Sequence, residues 1–501
     1  MLRERSGQGP PQTSLSCPNL PGGSAREEIV PTSISPADVP ATMPERRVYG
    51  YSIRVQSHHE AWSPLAGPVA TDDPVDAGTS SYGASNRATG GALSGLLVAD
   101  FGRVLAGPYA TMLLADLGAE VVKVERPGVG DDTRSWGPPW ADGQATYYQG
   151  VNRNKQSVAI DLRTHEGLAA ARALAAQADV VVENFRPGVM ARLGLDYETL
   201  SMTNPRLVYC SISGFGSGVG AELPGYDLLV QAVGGLMSVT GAPDGEPSKV
   251  GVALVDVITG LHAAVGVLAA VRHAERTGEG QRVEVNLLSS LLSALVNQAQ
   301  GYVGAGVVPG RMGNRHPSIA PYETFPTEDR LLVLAVGNDR QFGTLCDLLD
   351  LPEVAVDSRF VTNEQRVAHR EPLYELLSQR LRIHTADHWF RLLMARGVPC
   401  GPINSIDEGF ALATELGLDP VVQIPTGDLV AADPPPGVEG GTFPATVATV
   451  ANPIRLSRTP ATYRAAPPRL GQHSRDGLGS HEGAGPARHP DPARTVPGVS
   501  S

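Results

Sequence analysis

Cysteine and lysine are scarce in this 501-residue chain, and each shortage removes a class of structure. The four cysteines, Cys17, Cys210, Cys346 and Cys400, lie far apart and form neither a CxxC pair nor a Cys/His metal spacing. No disulfide framework and no metal site is therefore indicated, and a reducing cytoplasm is the expected compartment. Lysine occurs three times, the other basic residues are arginines, and the formal net charge is −12. An acidic chain of this kind carries no electrostatic footprint for nucleic acid or for a membrane surface. One apolar stretch, Val252 to Leu268, approaches the length of a membrane span, but Asp256, Thr259 and His262 interrupt it and no second stretch follows. A membrane protein is not expected. A dinucleotide fingerprint is also missing, since the first βα turn reads GRVLAG from Gly102 rather than GxGxxG.

What is present falls into segments. Residues 1–93 are rich in Pro, Ser, Gly, Ala and Thr with few sustained apolar periods, and read as a disordered extension. Its opening MLRERSGQG has the arginines of a transit peptide, but Glu4, Glu27 and Glu28 suit one poorly. From Leu96 the pattern alternates. Leu96–Asp100 reads as a strand, Gly107 and Pro108 open a helix that Gly118 ends, and Glu120–Val124 reads as the next strand. Strands at Val158–Leu162, Asp179–Glu183 and Leu207–Ser211 follow, with a helix at His165–Gln177 capped by Thr164. Alternating β and α predicts a parallel sheet with helices on both faces and a ligand at the carboxyl ends of its strands. Arg126, Arg134, Arg163, Arg186 and Arg192 converge on that side. They suit phosphate oxygens, or are solvated arginines at helix ends.

From about Val307 the character changes. A Gly-rich polar loop precedes a strand at Leu331–Val336, a helix with Phe342, Leu345, Cys346 and Leu349 on one face, and a helix capped by Thr385 and stopped by Gly397. The domain expectation is a disordered 1–93, a first part of a large domain over 94–305, a small domain over 306–410, a return segment over 411–479, and a disordered tail over 480–501. The return segment contains a Pro/Gly insertion at 433–444 and a return strand at Ile454–Leu456.

One acid stands out. Asp256 sits between Val250–Val255, which reads as a short strand or extended run, and a helix expected over Val257–Arg272, where an N-cap belongs. Capping alone would explain it. The same position, facing free N–H groups and the positive end of a helix dipole, would equally keep a carboxylate ionised and make it a candidate nucleophile.

Six collinear blocks go further: VLAGPYATMLLADLGAEVVKVERPG, VVENFRPGVMARLGLDYETL, PGYDLLVQAVGGLMSVTG, GVALVDVITGLHAAVGVLAAV, GNRHPSIAPYETFPT and GVPCGPINSIDE. With these the chain, over about 95–478, resembles the class III coenzyme A transferases, which include formyl-CoA and carnitine CoA-transferases and have the α-methylacyl-CoA racemases as relatives. The resemblance implies an α/β fold with a Rossmann-like large domain and a smaller α/β domain, in a homodimer of two interlocked rings. It implies transfer of CoA from an acyl-CoA to a carboxylic acid, with CoA as substrate and no tightly bound cofactor; the acidic composition already argues against a nucleic-acid or membrane partner. The family's catalytic aspartate falls on Asp256. Its CoA-binding positions fall on Leu105, Ala106, Arg126, Ile160, Arg163, Asn184, Phe185 and Arg192, and a tyrosine near the acyl site on Tyr226. A family lysine position is Pro224 here. The racemase alternative needs two acid/base groups. His262 lies about 240° around the helix from Asp256, which leaves Asp227 as the possible second group. Arg315 or His316 could meet a second carboxylate of a dicarboxylic substrate.

Overall fold

The computed structural model describes residues 90–426 and 445–474. Nearly all of the expected extension, the Pro/Gly loop at 433–444 and the tail from 480 lie outside the described residues.

Short runs mostly buried on both faces form the centre, as parallel strands require, with the last and more exposed of them at an edge. They are β1 (Leu97–Asp100), β2 (Glu120–Glu125), β3 (Lys155–Ala159), β4 (Val180–Glu183), β5 (Val208–Ser213) and β6 (Arg282–Asn286). Together they make a six-stranded parallel sheet in the order β3-β2-β1-β4-β5-β6. The order reverses between β1 and β4, and a doubly wound sheet opens its ligand crevice at that point. β3 begins three residues earlier than the apolar pattern suggests. The reason is that Lys155 and Ser157 are buried against Asp100 and Glu125 rather than exposed.

The connecting helices are α1 (Ala106–Asp116), α2 (His165–Gln177), α3 (Val189–Leu193), α4 (Tyr197–Ser201), α5 (Asp227–Val233), α6 (Leu254–Thr277), α7 (Leu287–Ala294) and α8 (Val296–Ala305). Thr164 caps α2 as expected, its hydroxyl accepting from the Gly167 N–H at 3.0 Å. One face of the sheet packs Val98, Val121, Val180 and Val208 against Ala110 and Leu114 of α1 and Ala263 and Val267 of α6. The other packs Ala99, Val122 and Val181 against Ala171 and Leu174 of α2. α6 is long and apolar enough to cross a membrane, yet Val255, Ala263, Val267, Ala270 and Ala274 place it in this core. Its approach to α1 depends on Gly260: a Cβ there would lie 2.7 Å from the Ala106 carbonyl oxygen.

α6 also corrects the local reading around Asp256. The run expected as a strand, Val250–Val255, is not one: residues 250–253 bend into the helix, which begins at Leu254 behind the N-cap residue Ala253. Asp256 therefore lies inside the first turn and is not the cap.

A second, three-stranded antiparallel sheet contains β7 (Tyr322–Pro326), β8 (Leu331–Ala335) and β9 (Cys400–Pro402) in the order β9-β8-β7. Its core joins Phe325, Leu332 and Leu334 to Phe342 and Leu345 of α9 (Asp339–Leu348), Leu377 of α10 (Arg370–Leu381) and Trp389 of α11 (Ala386–Met394). Thr385 caps α11 through the His388 N–H.

The expected return strand at Ile454–Leu456 is not a strand. Instead β10 (Val421–Pro425) pairs antiparallel with β11 (Thr446–Val450). The chain after them is fastened by the wholly buried Asp116, which accepts from Arg153 at 2.6 Å, Asn154 at 2.8 Å and Asn452 at 2.9 Å. Gly471, His473 and Ser474 then hydrogen-bond to Ser157 and Ala159 and so cover the free edge of β3.

Candidate active site

The site begins at the loop between β1 and α1. Val104 there has φ 67°, a left-handed conformation that is strained for a β-branched residue by about 1–3 kcal/mol. Four hydrogen bonds hold it. The Arg103 N–H donates to Asn184 Oδ1 at 2.8 Å, and Asn184 Nδ2 donates back to the Arg103 carbonyl at 2.7 Å. The Val104 N–H donates to Asp131 at 3.2 Å, and Lys123 Nζ donates to the Gly102 carbonyl at 2.7 Å. Asn184 follows β4, so this clamp closes across the point where the strand order reverses. Two of the three lysines are spent beneath it: Lys123 pairs with Asp131 at 2.9 Å and Lys155 with Asp100 at 3.1 Å, all four side chains being fully buried. Burial would raise the Asp131 carboxyl, but Lys123 and the Thr133 N–H outweigh it and hold it at about 2. Burial takes Lys155 the other way, down to about 8. Pairs this deep contribute little net stability, and they fix the geometry of the loop above them.

Over the clamp lies a cleft of about 200 Å³ lined by Phe101, Arg103, Arg126, Ile160, Arg163 and Phe185. Four of the residues named from the sequence thus meet in one place. Arg103 is an addition: its guanidinium lies 5.0 Å from the centre of the Phe185 ring, and only its place in the first βα loop could have signalled it. Arg126 is exposed, while Arg163 is tied to Asp161 at 2.9 Å on the surface. Arg192, in the last turn of α3, is exposed beside Gly188. Leu105 and Ala106 are buried at the start of α1, where they offer backbone rather than side chain. Arg134 and Arg186 do not join this cleft. Arg134 forms a bidentate pair with Glu125 at 2.7 Å, lies 3.8 Å over the Tyr148 ring and donates to the Pro468 carbonyl. Arg186 lines a different cleft, above β5 and β6.

Asp256 stands at the N-terminus of α6, beside that of α1. Leu105 packs there with Tyr109, Tyr147, Ala253 and Val257. The free N–H groups of the first turn do not serve Asp256. Asp227 Oδ1 accepts from the Val255 N–H at 2.8 Å and from the Asp256 N–H at 3.2 Å, while Asp227 Oδ2 accepts from Gln231 at 2.5 Å. Asp227 is therefore the cap of α6, supplied from 29 residues away. This overturns the expectation of an Asp256 held ionised by helix N–H groups. Burial first, and then the Asp227 charge, push its carboxyl from 3.8 up to about 7.

Tyr147 is a second residue that the sequence did not single out. Burial, and then Asp256 and Asp227, push its phenol up to about 12, so it stays a hydrogen-bond donor beside Asp256. The Trp136 ring meets it edge-on with centroids 5.4 Å apart. Tyr226 is exposed at the N-cap of α5, next to Asp227. The His262 ring turns elsewhere, with Nδ1 3.0 Å from Ser290 Oγ on α7. Engagement of Asp227 as a cap also weighs against its use as the second acid/base group of a racemase. Arg315 is bound by Glu323 at 2.8 Å and by Glu371, so it is not the free partner for a second substrate carboxylate that its position suggested. Among the described residues no group of His, Cys, Asp and Glu could hold a metal ion.

Comparison with known proteins gives this constellation its context. The family model of CoA-transferase family III matches residues 93–474. The chain is 46% identical over 390 residues to the succinate–glutarate CoA-transferase of Agrobacterium fabrum, covering 76% of this chain and 93% of that one. It is 40% identical over 385 residues to the human succinyl-CoA:glutarate CoA-transferase, covering 76% and 84%. Among solved structures, a CAIB/BAIF family protein from Brucella suis is similar at 42% identity with a TM-score of 0.67, covering 77% of this chain and 98% of that one. With the family match spanning the sheet, the clamp and Asp256 alike, the chain belongs to CoA-transferase family III.

Proposed function

We propose that this CoA-transferase moves CoA from a short dicarboxylic acyl-CoA to a dicarboxylic acid, with Asp256 as the nucleophile. The observation that carries the reading is a half-buried Asp256 in the first turn of α6, whose neighbours Ala253 and Val257 pack on Leu105 at the start of α1. The loop before α1 is clamped at the reversal point of the sheet and lines a cleft with Arg103, Arg126 and Arg163. In its ionised form, the Asp256 carboxylate attacks the thioester carbonyl. A C–O bond forms, the C–S bond breaks, and the products are a mixed anhydride and CoA thiolate. The thiolate then attacks the aspartyl carbonyl of the anhydride, which gives an aspartyl-CoA thioester and releases the first acid as its carboxylate. The incoming carboxylate reverses these steps and restores Asp256. No proton is gained or lost over the cycle.

Arg126 and Arg192 would meet the phosphates of CoA, and Phe185, Ile160 and Arg103 its adenine, with the clamped loop offering backbone N–H groups at the start of α1. We assign the Tyr147 hydroxyl, which Asp256 and Asp227 help keep protonated, as the donor to the oxygen that becomes negative during attack. The relatives whose names include succinate and glutarate support dicarboxylic substrates of four or five carbons.

We also propose a dimer, with residues 306–410 as the small domain of each interlocked ring. Its support is an exposed apolar surface on α5 to α8, where Leu228, Val233, Val265, Leu292, Tyr302 and Val303 are each about half exposed or more. The free thiols Cys210 and Cys346, each pushed up to about 12 by burial, suit the cytoplasm.

Succinyl-CoA incubated with glutarate should give glutaryl-CoA and succinate, read by mass spectrometry. Asp256→Asn should lose that transfer by several orders of magnitude while still binding CoA. Transfer by Asp256→Asn near the parent rate, or transfer restricted to monocarboxylic acids, would contradict the assignment.

A further inference from the structure

A buried acid with no part in the chemistry stands at the end of β4. Glu183 is 6% exposed, and a carboxylate so placed must find hydrogen bonds for its oxygens. Both are met. Oε1 accepts from Ser211 Oγ at 2.5 Å, across the last register pair between β4 and β5. Oε2 accepts from the Phe185 N–H at 2.8 Å. Burial raises the carboxyl above its ordinary range, while Ser211, the Phe185 N–H and the charge of Arg282 pull it back.

The second of these bonds answers a need of the backbone. The ladder between β4 and β5 stops at Glu183, so the Phe185 N–H has no strand carbonyl to donate to. The Glu183 side chain reaches two residues forward and supplies the acceptor, and Ser211 holds the other oxygen so that the side chain keeps that direction. One carboxylate thus fastens the turn after β4 to the neighbouring strand.

The residues that follow on this turn build the clamp and the cleft. Asn184 exchanges two hydrogen bonds with Arg103, at 2.8 and 2.7 Å. Phe185 lines the cleft of Arg126 and Arg163, its ring centre 5.0 Å from the Arg103 guanidinium. Past Gly188 comes α3, with Arg192 in its last turn. Glu183 itself does not line that cleft. It faces the other one, behind the turn, together with Arg186 and Arg282.

We infer, on the assignment of the arginine-lined cleft to the nucleotide end of CoA, that Glu183 is a positioning residue for CoA: its carboxylate orients the Asn184–Phe185 turn so that Asn184 clamps the β1–α1 loop and Phe185 faces the adenine. The turn needs an acceptor at Oε2. Glutamine supplies one, whereas methionine, of similar length, supplies none and leaves the Phe185 N–H unpaired.

Adenosine 3′,5′-bisphosphate, the nucleotide end of CoA without the thioester, is titrated into the full-length protein by calorimetry. Glu183→Met should bind it at least about tenfold more weakly than the parent, and Glu183→Gln within about twofold of it. The KM for acyl-CoA should rise in the same proportion in Glu183→Met with kcat nearly unchanged, a split that a general loosening of the fold does not produce. Ser211→Ala frees Oε1 and leaves the Phe185 N–H paired, so it should weaken binding by about threefold; it decides the matter if the methionine variant does not fold. Phe185→Ala should weaken binding as well. If it does while Glu183→Met and Ser211→Ala bind as the parent does, the role of Glu183 alone is overturned. No binding by the parent, or unchanged binding in Phe185→Ala, overturns the assignment of the cleft and the role of Glu183 with it. A loss in Glu183→Gln as large as in Glu183→Met would make charge rather than the hydrogen bond the cause, and would also overturn the inference.

Discussion

Replacing Asp256 by asparagine removes a carboxyl that burial, and then Asp227, raise from 3.8 to about 7. A carboxyl with a raised folded-state pKa holds its proton more tightly when folded than when unfolded. It therefore penalises folding wherever the unfolded chain would have released that proton. The penalty is absent below about pH 4, grows between about pH 4 and 7, and is complete above that range at a ceiling of roughly 4 kcal/mol. Solvent reaches the half-buried group and screens it, so about 1–4 kcal/mol is the expected range. An asparagine of the same shape carries no such penalty. Asp256→Asn should therefore be more stable than the parent at pH 8, and the two should converge as the pH falls toward 4. Urea unfolding followed by circular dichroism at pH 5 and pH 8, at one protomer concentration, measures the difference. A loss of about 1 kcal/mol, equal at both pH values, is what a lost helix cap would give, and it would refute this account of the site.

The same titration governs rate. kcat/KM should rise with pH through about 7 as Asp256 loses its proton, and Asp227→Asn should move that rise to lower pH by removing the neighbouring charge; an unmoved profile would count against the pair. Arg126→Ala and Arg192→Ala should each raise the KM for acyl-CoA by about tenfold and leave kcat nearly unchanged, because phosphate contacts are equal in ground and transition states. A fall in kcat at constant KM would place those arginines elsewhere. Gly260→Val should lower stability by about 1–3 kcal/mol and reduce kcat, since its Cβ would begin 2.7 Å from the Ala106 carbonyl and part α1 from α6; an unchanged melting temperature would show that the crossing is not tight.

The parallel sheet was legible because burial on both faces writes itself into short apolar runs such as VVVE of β4, punctuated by Thr164 and the glycine after α1. Asp256 was legible as an acid in an apolar run, and the nucleophile role proposed for it was suggested only by the family blocks. The cap was not legible, since Asp227 reaches the first turn of α6 from 29 residues away and no local pattern records that contact. Arg134 and Arg315 misled for a related reason. A sequence shows the charge of an arginine but not the carboxylates, Glu125 and Glu323, that already hold it. The return of the chain to β3 is carried by side-chain and loop hydrogen bonds from Gly471 to Ser474, so the search for an apolar strand settled on Ile454–Leu456.

The central claim is that Asp256 becomes covalently attached during transfer. Incubating the full-length protein with succinyl-CoA alone, quenching, digesting and weighing the peptide that contains Asp256 tests it directly. The account predicts an acyl or CoA adduct on that peptide that hydroxylamine removes, formed as fast as the first turnover and absent from Asp256→Asn. Complete transfer with an Asp256 peptide of unmodified mass throughout, or an adduct that persists in the asparagine variant, would contradict it.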